Sequence, residues 1–544
     1  MIVSRSHWVQ QVKRSVVKIH AVERDFNVEE PYKLGEEQCV CGSGFFVDQE
    51  VLFGKTLFPN CRTLLTNSHV VEGAPTKTCR INFPDCGQSN LSCRVAFICP
   101  MFEIDVAVLV LDPTTQDNWF EKMPAPQFVA QIPNLTFEME KMCGMAEEVV
   151  AVGYPLDSDD CVATVGCIAC RDDHMFQLAM SINDGNSGGC VCFDGRVMGI
   201  ATSTQADAEG IAFCIPIVQV VRLFTHWLGD TAPGHLVMPP KMGCELQVST
   251  RAMFAYHRLP AKTRGSHVLH VQPEGTLASA GCKPNDILVA IHTTNKGQHY
   301  DFDVDNHGLI NVPWSLGKID IDNMDFLLFC DRHATAVTYL SKRPGRKSFV
   351  LRKRVPVVMS NARKTIDTVV PYWEHIPHLL FGGMVFMNLS TNHATALTSG
   401  MQRHKTDVGF ILHMKQNKCD KPALCISYVF PQSIVDDTST VDKLSLITHI
   451  DGKPVTCVAE ARRVFTDICK SSAPFVTLRS DNYEEIILEM DKLRAQETTY
   501  ARTVPFYPQK TLLNQGPRPP TTKRKRIKNE KFKVYKRTRS QVKA

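Results

Sequence analysis

The chain has 544 residues, enough for three or four domains of ordinary size. With 44% apolar and 22% charged residues it can fill several cores, which excludes a wholly disordered or fibrous protein. The formal net charge of +5 is uneven: from Arg518 to Ala544 twelve Lys/Arg face the single acid Glu530, so this end carries +11 and the remainder about −6.

Residues 1–14 read as an N-terminal extension. "MIVSRSHWVQQVKRSVVKIHAV" meets Lys13 and Arg14 before an apolar core develops, so no secretory signal is expected. No run approaches the roughly 20 apolar residues of a membrane span, so no membrane partner is expected either. From 15 to 232 many short apolar runs alternate with Gly, Asp, Asn and Pro: "SVVKIHAV", "GSGFFV", "TLLTNSHVV", "DVAVLVL", "EVVAVGY", "VMGIAT". Period-2 alternation with β-branched residues predicts strands, and their number predicts a barrel-type all-β domain. "IPIVQVVRLFTHWL" closes it with the apolar spacing of a helix packed on the barrel.

Residues 233–241, inside "GDTAPGHLVMPPKMG", read as a linker. A smaller unit spans 242–356, centred on "HVLHVQPEGTLASAGCKPNDILVAI", two strands around a short helical turn. A second small unit spans 368–494 and contains "FGGMVFMNL", "CISYVFPQS" and "KLSLITHIDGKPVTCVAEARRVF". Residues 501–544 are expected to be a basic, disordered tail. Its Lys523, Arg524, Lys525 and Arg526 form a "KRKR" run that suits a nuclear import signal or a nucleic-acid-binding arm, the alternative being a solvated end. The aromatics Tyr500, Phe506, Tyr507, Phe532 and Tyr535 are too scattered for a base-stacking platform.

The 21 cysteines, an odd number, read as mostly buried free thiols of a reduced, intracellular protein. The close pairs Cys39/Cys41, Cys167/Cys170 and Cys190/Cys192 each lack a second pair at finger-like distance. No metal and no cofactor are expected.

"SINDGNSGGCVCFDGRVMGIAT", Ser181 to Thr202, sets Ser187 among glycines. A nucleophilic serine needs a histidine to take its proton, a carboxylate to orient that histidine, and backbone donors for the oxyanion. His69 in "LLTNSHVVEGA" ends an apolar run and is thereby presented at a barrel edge. Asp105 in "FEIDVAVLVLD" opens a six-residue apolar run, so its carboxylate is drawn inward and needs a partner. Gly185, two before Ser187, lets the N–H groups of Gly185 and Ser187 converge on one point as an oxyanion hole. The order His, Asp, Ser is that of the chymotrypsin-type triad, with the serine in the second half of the domain.

"TNSHVV", "DVAVLVL" and "GNSGG", followed by "GIAT" and "GIAFCIPI", resemble the HtrA/Deg family of trypsin-like serine proteases. "GTLASAGCKPNDILVAI" resembles an HtrA PDZ domain, and "FGGMVF" the opening of the second PDZ of plant-type Deg proteases. The resemblance implies a mainly β fold, a chymotrypsin-like double β-barrel followed by two PDZ-like domains. It implies an ATP-independent endopeptidase that needs no cofactor, cleaves unfolded or regulatory proteins, and assembles as a homo-oligomer of trimers or their multiples. A peptide-binding scaffold or chaperone with gated or dispensable protease activity is the alternative. Carried over from the family, Ser181 lies at the base of the primary pocket and Ala201 and Phe213 on its walls, which suits Val, Ala, Leu or Met before the scissile bond. Cys190 replaces the proline usual after "GNSGG", Asp184 adds a carboxylate at the rim, and "KMGCEL" is a poor match to the usual peptide-carboxylate loop. The tail lies outside the family core and points to the nucleus rather than the cytoplasm.

Overall fold

The computed structural model describes residues 5–33, 35–83, 90–115, 119–120, 123–139, 144–171, 175–204, 210–229, 231–315, 317–342, 348–400, 412–413, 418–438, 443–471, 473–504, 507 and 511–515. The "KRKR" run, and the whole of 516–544 with it, lies outside these residues.

Six strands form the first barrel: β1 (Val16–Arg24), β2 (Glu37–Val47), β3 (Arg62–Thr66), β4 (Thr78–Asn82), β5 (Asn90–Cys99) and β6 (Val106–Leu111). Their order is β5-β4-β1-β2-β3-β6, closed by pairing of β5 with β6. Alternation sorts the side chains. Val17, Ile19, Phe46, Leu64, Ile81 and Leu109 fill the barrel interior, while Val16, Phe45, Leu65 and Val108 face outward into a second cluster shared with the rest of the domain. The strand β6, "VAVLVL", is buried on both faces, which is why it reads as an unbroken apolar run rather than an alternating one.

A second closed six-stranded barrel follows, built from Glu148–Gly153, Val162–Arg171, Phe176–Ala179, Cys190–Phe193, Arg196–Thr204 and Ile211–Pro216. The chain then enters the expected helix, Ile217–Arg222, continued by a wider turn over Leu223–Trp227. Its Val220, Phe224 and Trp227 are buried against the first barrel and the next unit, each large side chain contributing about 1.5–3 kcal/mol of burial.

Two further sheets follow among the described residues, an arrangement consistent with PDZ-like units. One has the order Cys244–Gln247, Ser266–Val271, Ile287–Asn295, Ala336–Lys342, Phe349–Pro356, with Gln298–Asp303 beside Ile287–Asn295. The other runs His378–Phe381, Met384–Asn388, Leu424–Val429, Leu446–Ile450, Phe475–Ser480, Glu485–Glu489, covered by the helix Val458–Lys470.

The described parts of the segments read as extension and linker, and the first residues of the tail, carry regular structure and buried side chains. Residues Arg5–Lys13 form a helix that buries Val9 and Val12. His235–Leu236 adds a short parallel strand to β5, and Val237 and Met238 are buried. The helix Met490–Thr503 runs through the expected end of the last unit. Tyr500 and Tyr507, which looked scattered, both pack on Phe430 with ring centroids 5.2 and 5.3 Å away. In each case a few apolar residues find a partner distant in sequence, which local composition does not reveal.

Candidate active site

β3 and β6 are antiparallel neighbours with Thr66 opposite Ala107. The chain therefore leaves β3 at the same barrel edge where it enters β6, which brings Asn67–His69 against Asp105. His69 sits on a single turn, Ser68–Val70. Asp105 has a positive φ of 54°, a conformation that Asp tolerates better than most residues. The Asn67 side-chain amide donates to the Asp105 carbonyl at 2.9 Å and ties the two segments.

The Asp105 carboxylate accepts three hydrogen bonds. His69 N donates to Oδ1 at 3.0 Å and His69 Nδ1 to Oδ2 at 2.8 Å. The buried Thr202 hydroxyl donates to the same Oδ2 at 2.6 Å. This holds the imidazole with Nδ1 protonated and Nε2 turned to the cavity. Burial alone disfavours the imidazolium of His69. The bond and charge of Asp105, with the carboxylates of Glu23 and Glu72 behind it, outweigh burial and leave the pKa above its ordinary 6.5. Burial also raises the carboxyls of Glu72 and Glu23, against the Ser68 and Met101 bonds to Glu72 and the Gly73 bond to Glu23.

Ser187 comes from the second barrel, on the loop between Phe176–Ala179 and Cys190–Phe193. Two glycines shape that loop. Gly185 has φ +92°, and a Cβ there would meet the Tyr154 carbonyl oxygen at 2.2 Å. Gly188 has φ +85°, and a Cβ would meet the Ser43 carbonyl oxygen at 2.1 Å. Ser43 of β2 docks the loop on the first barrel: its N–H donates to Ser187 O at 2.8 Å and its hydroxyl to Gly185 O at 2.6 Å. Among the described residues the N–H groups of Gly185 and Ser187 donate to no protein acceptor.

His69, Asp105 and Ser187 line one cavity of about 380 Å³ between the barrels. The Ser187 hydroxyl does not engage the imidazole; it donates to the Thr202 carbonyl at 2.8 Å.

The expected pocket residues are not the ones that line this cavity. Ser181 is exposed. Ala201 points into the interior of the second barrel with Leu178, Met198 and Cys214, because strand alternation gives the cavity side to its neighbour Thr202. Phe213 is half-buried two residues before Ile215, which does line the cavity. Ile182, Asn183, Gln219 and Met324 also line it, the last coming from the unit that follows the second barrel, and Glu103 and Asp184 add two carboxylates. The sequence reading missed Thr202 and Ser43. Each is a small polar residue inside an apolar strand, the one signal that could have marked them.

Residues 42–200 match the family model described as trypsin-like peptidase domain, a span containing all three residues. The Synechocystis sp. protein named serine protease HhoB is 28% identical over 284 residues, 49% of this chain and 60% of its own length. HhoA of the same organism is 27% identical over 275 residues, 46% of this chain and again 60% of its own length. A DegP-like periplasmic serine endoprotease of Brucella suis is 29% identical over 205 residues, 35% of this chain and 38% of its own. The chain thus spans less than two thirds of the length of these relatives. A solved HtrA-type protease, AlgW with a decapeptide, aligns over 66% of this chain and 99% of its own at 18% identity with a TM-score of 0.43.

Proposed function

Because the chain belongs to the HtrA/Deg family of trypsin-like serine proteases, we propose that it is an ATP-independent serine endopeptidase acting on unfolded or regulatory proteins. In this reading Ser187 Oγ attacks the scissile carbonyl, and His69 Nε2 takes its proton and returns it to the leaving amine. Asp105 holds the tautomer and stabilises the imidazolium. The N–H groups of Gly185 and Ser187 receive the oxyanion. The acyl-enzyme on Ser187 is then hydrolysed by water through the same histidine. The observation that carries the reading is the 2.8 Å bond from His69 Nδ1 to a buried Asp105 at the edge of the cavity that also holds Ser187.

The cavity wall formed by Ile182, Ile215 and Met324 supports apolar side chains at the scissile bond, in line with Val, Ala, Leu or Met. Family membership supports a trimeric or larger homo-oligomer. The basic end supports nuclear import or nucleic-acid binding.

One observation favours a second reading, a peptide-binding scaffold whose protease is gated. The Ser187 hydroxyl is turned to Thr202 O rather than to His69. Casein degradation by the purified chain beside Ser187→Ala decides between them. Loss confined to the variant supports the endopeptidase, as does a fluorophosphonate probe that labels Ser187 alone. Equal, negligible turnover in both, with peptide binding retained, supports the scaffold.

A further inference from the structure

His20 of β1 and Cys41 of β2 are direct cross-strand partners, and their Nδ1 and Sγ atoms lie 3.1 Å apart on one face of the barrel. A third donor arrives from the second barrel. The turn Pro155–Asp157 brings the Asp157 carboxylate over this pair, and one donor atom from each of His20, Cys41 and Asp157 lies within 4.8 Å of the others. A tetrahedral ion with ligand bonds of about 2.0–2.3 Å holds its donors roughly 3.3–3.8 Å apart, so small side-chain rotations suffice. The turn itself is held in an unusual form. Leu156 and Asp157 both have positive φ, 51° and 58°, and Leu156 N donates to Asp184 O at 2.6 Å. Two consecutive non-glycine residues in this region carry strain of order 1–3 kcal/mol each, which persists only where surrounding contacts enforce it.

We infer that His20, Cys41 and Asp157 form a binding site for a zinc-class divalent transition metal, distinct from the Ser187 cavity. The donor set of one imidazole nitrogen, one thiolate and one carboxylate suits zinc and cobalt and does not suit calcium or magnesium. Three protein ligands leave a fourth position for water on the solvent side. That side opens on a groove of about 970 Å³ lined by His20, Cys39, Asp157 and Asp159, which provides the entry path.

Lys18 is the local competitor. Its ammonium lies 2.6 Å from Asp157 Oδ1 and also donates to the carbonyls of Asp157 and Ser158 at 2.8 and 3.2 Å. Burial and the neighbouring Asp157 push the Cys41 thiol up to about 11, and burial with Lys18 pushes His20 down. The metal-free pair is thus a neutral thiol beside a neutral imidazole, not a thiolate–imidazolium nucleophile. Binding replaces the S–H proton by the metal and releases that one proton to solvent. The cysteine pattern hides the site because its ligands come from three separate segments.

The test uses the full chain carrying Ser187→Ala, stripped with chelator, so that its outcome is independent of proteolysis. Cobalt(II) is titrated while the thiolate-to-cobalt charge-transfer absorption is followed, and zinc is then added to displace it. One cobalt per chain with that absorption, quenched by zinc, is expected. Cys41→Ser should remove the absorption, and His20→Gln and Asp157→Asn should each weaken binding by more than about 100-fold, beyond what loss of an outer partner costs. The Asp157 side chain is 59% exposed, so Asp157→Asn, with its folding checked by thermal unfolding, keeps the test decisive if Cys41→Ser does not fold. Absence of the absorption in the parent, its full retention in Cys41→Ser, or unchanged affinity in Asp157→Asn overturns the inference.

Discussion

Asp105→Asn isolates the electrostatic role of the carboxylate with little change of shape. The positive φ at this position suits Asn as well as Asp, so the backbone is undisturbed. The carboxylate faces only donors: His69 N, His69 Nδ1 and the Thr202 hydroxyl. An amide offers one acceptor and one donor. With its oxygen towards His69 Nδ1 and Thr202, the NH₂ confronts the His69 backbone N–H. Flipped, the NH₂ faces Nδ1 and forces the proton onto Nε2, where the imidazole can no longer accept from Ser187. The second arrangement predicts a loss of about 10⁴ in turnover, which at 1.36 kcal/mol per tenfold is about 5.4 kcal/mol of barrel-edge electrostatics. Stability should fall by only about 1–3 kcal/mol, the cost of one mismatched buried polar contact. The assay is kcat on a fluorogenic peptide over a pH series, with thermal unfolding in parallel. A variant that folds and keeps more than a tenth of wild-type turnover refutes the reasoning, since some other carboxylate must then hold the histidine.

Peptide hydrolysis by the wild type should fall on the acid side with a midpoint above 6.5, because the raised pKa keeps His69 protonated to higher pH; a midpoint below 6 in kcat/KM counts against the geometry. The same shift makes the His69 contribution to folding stability complete below pH 6.5 and lost as pH rises through the folded-state pKa, which urea unfolding at a series of pH values measures. Thr202→Val removes a hydrogen bond to a buried carboxylate and should cost about 1.5–3 kcal/mol of stability by denaturant unfolding while retaining the His69–Asp105 bond. Removal of 518–544 should leave peptide hydrolysis unchanged, and that segment fused to a neutral reporter should confer nuclear accumulation or steeply salt-dependent nucleic-acid binding; a reporter that does neither reduces the tail to a solvated end.

What was legible in the sequence was whatever rests on local pattern. Alternating apolar runs specify strands because successive side chains point to opposite faces, and enough of them in series make barrels. Gly185 and Ser187 could be read because a tight loop around a nucleophile needs glycine at a fixed spacing. His69 and Asp105 could be named because each stands at the end of an apolar run, where a strand meets the barrel edge. Only the tertiary structure decided what each of them touches. That Thr202 rather than Ala201 faces Asp105 depends on strand parity beside an irregular pairing. That Ser43 anchors the Ser187 loop depends on the docking of the two barrels, which joins Ser43 to Gly185, 142 residues apart in sequence. The cluster of His20, Cys41 and Asp157 exists because cross-strand register and one strained turn bring together groups that no spacing rule connects. Local chemistry is written along the chain, whereas the partner of a buried polar atom is set by packing, which depends on all the strands at once.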